Sequence, residues 1–182
     1  VNNIFSKFNL KIYNVEKIKT HGGSLRIYVC KKKNKKYISK NVKKILYQEK
    51  LYGLNKLTKY KKFQNKIDKI KHEFLKFLKE KKLKGMKICG YGAAAKGNTL
   101  LNYCKIKSNT IEFVCDAAKS KQNKRLPGSQ IPIFEPKKIK KEKPNYIIIF
   151  PWNLSKEIIT QLSYVKKWNC KFVTVIPNLK VF

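Results

Sequence analysis

The stretch Lys87-Ile-Cys-Gly-Tyr-Gly-Ala-Ala-Ala-Lys-Gly-Asn-Thr-Leu-Leu-Asn-Tyr103 decides the fold. A short apolar approach (Met86, Ile88, Cys89) runs into Gly90-Tyr-Gly92 and three alanines, then Lys96, Gly97, Asn98 and Thr99, then Leu100 and Leu101. This order predicts a strand, a tight turn whose backbone can come close to a ligand, and the first turn of a helix. The free N–H groups of such a helix start, aided by its dipole, suit a phosphate or carboxylate. Lys96 adds a mobile positive charge beside them. The pattern narrowly misses G-x-G-x-x-G, with Ala95 in the third position, where a small residue still permits close helix–strand packing.

Working outward, Gly85 to Phe182 alternates strand and helix signals. Strands are expected near Met86–Gly90, Ile111–Cys115, Tyr146–Phe150 and Phe172–Ile176. Helices are expected near Lys96–Cys104 and Ser155–Lys167, with a shorter one around Pro136–Lys140. Continuous apolar strands alternating with helices predict a parallel sheet covered on both faces, an α/β Rossmann-like unit. A ligand should then lie beyond the carboxyl ends of the strands. Two more clusters are expected at that edge: Leu126-Pro-Gly-Ser-Gln-Ile-Pro-Ile133 and Phe150-Pro-Trp-Asn153. Trp152 can stack on a base or cover the core, and Asn153 or Ser155 can cap the next helix. The candidate ligand-binding set is Gly90, Gly92, Ala94, Lys96, Gly97, Asn98, Gly128, Trp152 and Asn153, with Gly92, Gly128 and Trp152 sharing one edge.

Upstream, Lys40 to Lys84 has apolar residues at helical spacing, from Val42, Ile45 and Leu46 to Phe74, Phe77 and Leu78. Gly53 marks a break between two helices and Gly85 a stop. Val1 to Lys36 reads as two strands around the turn Thr20-His-Gly-Gly-Ser24. A lone hairpin is marginal in water, so this one is expected to join a sheet. The division that follows is residues 1–36 as a terminal hairpin, 37–84 as a helical connector and 85–182 as the Rossmann-like domain. His21 can move protons near neutral pH and is a candidate site-lining residue. No catalytic residue pair is evident within the chain.

The 44 basic residues outnumber the 10 acidic ones to give a net charge of +34 over 182 residues. Only Arg26 and Arg125 carry the guanidinium that base readers favour, and the abundance of Lys, Asn, Ile and Tyr follows AT-rich codons. No specific nucleic-acid partner is expected, although such a charge raises nonspecific association with polyanions. Apolar runs such as Tyr146 to Pro151 are too short to span a bilayer, so no membrane is expected and the setting is taken as soluble and cytoplasmic. The five cysteines (Cys30, Cys89, Cys104, Cys115, Cys170) show no C-x-x-C spacing, which leaves zinc unsupported here and favours buried, reduced thiols. Asp116 ends the second strand, roughly where a dinucleotide domain holds its ribose acid. An independent NAD-type domain is therefore the first rival reading, and a basic nucleic-acid-binding module the second.

Thr20-His-Gly-Gly-Ser-Leu-Arg26, the Gly90-to-Asn102 motif, Asp116, Leu126-to-Ile133, Pro144-Asn-Tyr146, Pro151-Trp-Asn153 and Pro177 occur in that order. Over nearly the whole chain this resembles the C-terminal part of the sugar C-methyltransferases, S-adenosylmethionine enzymes that methylate a carbon of a nucleotide-linked sugar. The resemblance implies that the hairpin ends a methyltransferase domain and that the last domain binds or organises the nucleotide-sugar. It also implies an N-terminal zinc-binding domain, a glycine-rich S-adenosylmethionine loop and a Tyr-x-Glu-His stretch supplying a base. None of these is found in the 182 residues, so the cofactor, any zinc and the base are expected in missing N-terminal domains of the same protein. The chain alone is expected to be a truncated, inactive portion. It departs from the pattern after Asp116, and Asn123 stands where glycine is common.

Overall fold

A bulged hairpin and the helix laid on it account for the first of two units, Val1–Asn65 and Lys66–Phe182, in a computed structural model that describes residues Val1–Phe182. The unit opens with α1 (Asn2–Lys7), β1 (Leu10–Ile18), β2 (Ser24–Lys31) and α2 (Lys40–Tyr52). The strands pair antiparallel from Leu10 opposite Lys31 to Ile18 opposite Ser24, with a register shift between Ile12 and Asn14. Side chains alternate along a strand, so residues three apart would ordinarily face opposite ways. The extra residue resets the alternation, and Ile12 and Val15 are both buried together with Val42 of α2. The hairpin thus gains a helix as cover, and its sheet in this chain has two strands. Gly53, left-handed at φ 80°, ends α2 and returns its N–H to the carbonyls of Glu49 and Lys50, which is the expected break.

The chain passes from one unit to the next inside α3 (Leu57–Leu83), where Ile70, Phe74, Phe77 and Leu78 are the buried positions. The second unit continues with β3 (Ile88–Tyr91), α4 (Ala95–Tyr103), β4 (Val114–Cys115), β5 (Ile133–Phe134), α5 (Lys137–Glu142), β6 (Tyr146–Ile149), α6 (Ser155–Gln161), β7 (Lys171–Thr174) and β8 (Lys180–Val181). Its sheet runs β5-β4-β3-β6-β7-β8; the pairings through β7 are parallel, and β8 is antiparallel to β7.

Strand alternation divides the core into two layers. Ile88, Val114, Ile148, Phe150 and Val173 pack with Phe74, Phe77 and Leu78 of α3 and Leu101 of α4. Cys89, Tyr91, Cys115, Ile147, Ile149 and Phe172 pack with Ile139 of α5 and Ile158 of α6. Burying an isoleucine side chain contributes about 1.5–3 kcal/mol, so Ile147, Ile148 and Ile149, all buried, require helices on both faces of β6. The earliest strand of this sheet lies centrally, and the chain order reverses between β3 and β6. That is the doubly wound Rossmann arrangement expected from the strand and helix pattern.

Three details differ from expectation. The two-residue strands β5 and β8 and the short α1 were not anticipated. The helix expected to reach Lys167 stops at Gln161, and the chain continues as a 3-10 turn over Ser163–Trp168 that ends at Asn169 with φ 59°. No helix is long and apolar enough to cross a membrane.

Candidate functional site

Where strand order reverses, the turns that follow two neighbouring strands diverge and leave a crevice. Here those strands are β3 and β6, paired from Ile88 opposite Tyr146 to Tyr91 opposite Ile149. Gly92 follows β3 and Phe150-Pro-Trp-Asn153 follows β6, so both turns emerge at the carboxyl edge. Asp116 joins them after β4, and the N–H of Gly92 bonds the Cys115 carbonyl at 2.7 Å.

The glycines of the turn are explained largely by what lies on them. A β-carbon at Gly97 would stand 2.5 Å from Cβ of Phe150, and one at Gly90 would overlap the Phe150 ring. Gly92 (φ +86°) faces the ring of Pro151 on the side where a β-carbon would be. In a dinucleotide fold the corresponding close approach is made by a pyrophosphate. Here the Phe150–Pro151 segment fills that space.

The exposed chemistry lies just outside this packing. Ala94, extended at φ −92° and ψ 147°, precedes α4, and no side chain caps the helix. An uncapped start leaves its first N–H groups to whatever approaches. Lys96, one residue into the helix, donates from Nζ to Oδ1 of Asn153 and stands 5.0 Å from the centre of the Trp152 ring. The capping role expected of Asn153 or Ser155 is absent: Leu154 occupies the N-cap of α6 without a side-chain bond. Asn98 turns inward instead, its Oδ1 buried without a hydrogen-bond partner.

Asp116 is 8% exposed, and its carboxylate is engaged within the fold. It accepts from the backbone N–H of Ala93 at 2.7 Å, from that of Ala118 at 2.8 Å and from Lys121 Nζ at 3.2 Å. The acid read as a ribose ligand is thus the clamp that ties the glycine turn to the end of β4. Its spacing was visible in sequence, but its backbone partners carry no residue signature.

Gly128 corrects the expectation of one shared edge. Residues 123–126 run back along 131–133, joined by Leu126 N–H to Ile131 O at 2.9 Å and Ile133 N–H to Lys124 O at 2.8 Å. The tip of this hairpin therefore points toward the amino ends of the strands. There Asn102, in the last turn of α4, donates to the Pro127 carbonyl at 2.9 Å, and Lys107 donates to that of Gly128 at 2.5 Å. Asn102 is six residues beyond Lys96, about 9 Å along the helix axis. Gly92, Lys96, Trp152 and Asn153 come together; Gly128 does not join them. His21 belongs to the first unit, exposed at the hairpin turn with φ 55°.

The thiols offer no nucleophile to this edge. Burial pushes Cys89 well up, and Cys115 and Cys170, in the same layer, raise it further. Burial likewise pushes Cys115 and Cys170 up to about 12, so all three stay protonated near neutrality. No group of three or more His, Cys, Asp or Glu side chains is placed to hold a metal.

A doubly wound sheet with a glycine turn, an uncapped helix and a lysine at its switch point defines a Rossmann-like domain with a candidate anion site. Residues 19–177 match the model of one family, the C-methyltransferase C-terminal domain, and the chain belongs to that family. It is 27% identical over 178 residues to the C-methyltransferase NovU of Streptomyces niveus, covering 98% of this chain and 42% of that protein's length. The chain thus spans less than half of the curated relative it matches. Among solved structures, UDP-D-quinovosamine 4-dehydrogenase from Vibrio fischeri aligns with 53% of this chain and 93% of its own, at 20% identity and a TM-score of 0.38.

Proposed function

We propose that this chain is the nucleotide-sugar-organising part of an S-adenosylmethionine-dependent C-methyltransferase that acts on a nucleotide-linked sugar. The observation that carries this reading is Lys96 at the switch point, beside the uncapped start of α4. An ammonium next to convergent N–H groups matches the diphosphate of such a substrate. The methyl donor, a sulfonium, is positively charged and fits this edge poorly, so its site is assigned to other domains of the full protein. In such a reaction, removal of a proton beside a carbonyl gives the carbanion that takes the methyl group. The role proposed for these residues is to hold the diphosphate while that chemistry proceeds elsewhere. A cytoplasmic setting and a site-lining role for His21 in the longer protein belong to the same proposal.

The dinucleotide reading is weakened by Pro151 over Gly92 and by the inward carboxylate of Asp116. Calorimetric titrations with a dTDP-sugar, NAD and an oligonucleotide at two salt concentrations test the three possibilities. Saturable dTDP-sugar binding that outlasts the oligonucleotide signal at higher salt is expected, because nonspecific polyanion binding falls steeply with salt. Tight NAD binding, or oligonucleotide binding that resists salt, would sink the proposal.

A further inference from the structure

Lys96 has partners without any ligand. It belongs to the first turn of α4, behind β3, whereas Asn153 and Trp152 belong to the turn behind β6. Its bond to Asn153 Oδ1 and its position over the Trp152 ring therefore bridge the two strands between which chain order reverses. The two turns also meet where Gly92 lies against the ring of Pro151. We propose that Asn153 and Trp152 form a latch that holds Lys96 between the two turns at the switch point, and that a phosphate-bearing ligand opens it by drawing the ammonium away. The proposal rests on the reading that this edge receives a phosphate ester.

The relative strengths of the partners set the direction of the exchange. An amide oxygen is neutral, and an ammonium binds phosphate oxygens more strongly than neutral acceptors. A ligand carrying phosphate replaces the Asn153 contact with a better one, while an uncharged sugar offers only neutral hydroxyl oxygens, no stronger than the amide oxygen they would displace. The latch therefore discriminates phosphorylated from free sugars. The lysine stem has four rotatable carbons, so the head can re-aim without movement of α4. On this account Asn153 is a positioning residue that acts through Lys96. Trp152 seats an ammonium on its face, a favourable cation–π arrangement, and is not a platform for a base.

Trp152 also reports on the latch, because the chain has only two tryptophans and a Trp152→Phe variant isolates its emission by difference. In the free 182-residue chain, Asn153→Leu and Lys96→Met should shift that emission in the same direction. Inorganic pyrophosphate and a dTDP-sugar should produce the same shift in the wild type and none in Lys96→Met. If the latch is closed in roughly 70–90% of molecules, Asn153→Leu should tighten pyrophosphate binding about three- to tenfold. Emission unchanged by both substitutions would overturn the latch whatever the ligand results. Weaker pyrophosphate binding by Asn153→Leu would make Asn153 a ligand contact, overturning the latch while the phosphate site stands. A normal response to the substitutions with no binding of either probe would refute the phosphate reading and the ligand-opened latch together.

Discussion

The side of Gly92 that lacks a β-carbon lies against the ring of Pro151, where an added carbon would be 2.5 Å from Cδ and 2.7 Å from Cγ. With Gly97 pressed on Phe150, this makes the turn after β3 and the turn after β6 one packed assembly. The requirement for glycine here arises from contact within the protein, and a packing requirement can be measured as stability.

Gly97→Ala should therefore have the sign opposite to its usual one. In an open helix alanine is favoured over glycine by about 1 kcal/mol. Here its β-carbon would meet Phe150 Cβ at 2.5 Å, and overpacking of this kind costs about 1–3 kcal/mol. Phe150→Ala alone should lose about 3–5 kcal/mol through the cavity it leaves. The double variant should lose less than the sum, because removal of the ring takes away the new β-carbon's contacts with Cγ and Cδ1 at 2.7 and 3.0 Å, while the contact with Cβ of residue 150 remains. Urea unfolding provides the measurement; a Gly97→Ala protein more stable than wild type would contradict the packing.

Asp116→Ala should destabilise the second unit by leaving the Ala93 and Ala118 N–H groups without their acceptor, about 1–3 kcal/mol for each one that water cannot reach. Asp116→Asn keeps one acceptor oxygen and should recover part of the loss. Thermal unfolding of the two variants would show this order. Equal stability of wild type and Asp116→Ala would mean that the clamp is not formed in solution.

Asn102→Ala separates the two ends of α4. It removes the bonds to the carbonyls of Asn98 and Pro127, both 2.9 Å, and should lower stability by about 0.5–1.5 kcal/mol per bond. Affinity for a dTDP-sugar should be unchanged, since this contact lies at the far end of the helix from Lys96. A parallel loss of affinity would return Gly128 to the ligand site.

The buried thiols predict an alkaline weakness. Burial holds Cys115 and Cys170 at about 12 in the folded protein, while an unfolded thiol titrates near ~8.5. Above that lower value the unfolded chain has released protons that the folded chain retains, so stability falls as pH rises. The loss should be negligible at pH 7, begin near pH ~8.5 and continue toward the folded values. Urea midpoints measured from pH 7 to 10 should fall accordingly. Thiol labelling of the native protein at pH 8 should modify Cys30, which is half-buried, and spare Cys89, Cys104, Cys115 and Cys170 until urea is added. Rapid native labelling of Cys115 would show that its layer opens.

The β3–α4 junction was legible because every feature from Gly90 to Lys96 is local: a glycine turn, then a run of good helix formers. The position of Gly128 was not, because chain order alone does not distinguish a connection that crosses the sheet from one that doubles back. Residues 123–126 retrace 131–133, and that single reversal moves the glycine from one end of the strands to the other. Strands β5 and β8, with two residues each, are too short to show alternation. The bulge in β1 concealed the pairing of Ile12 with Val15 on one face, since regular alternation separates them. Asp116 was visible as an acid at a strand end, but a backbone N–H can belong to any residue, so its real partners were not.

The fit of Gly97 beneath Phe150 bears on how this signature changes over evolutionary time. Cβ of residue 150 alone would stand 2.5 Å from a β-carbon at 97, so a lineage releases its helix glycine to become alanine or serine when residue 150 is reduced to glycine. One that retains the aromatic must retain the glycine, with or without any ligand. Related chains should therefore show reciprocal size at these two positions. A glycine-rich stretch kept under that constraint marks the presence of a side chain at residue 150, and counting its glycines says little about whether the domain binds phosphate.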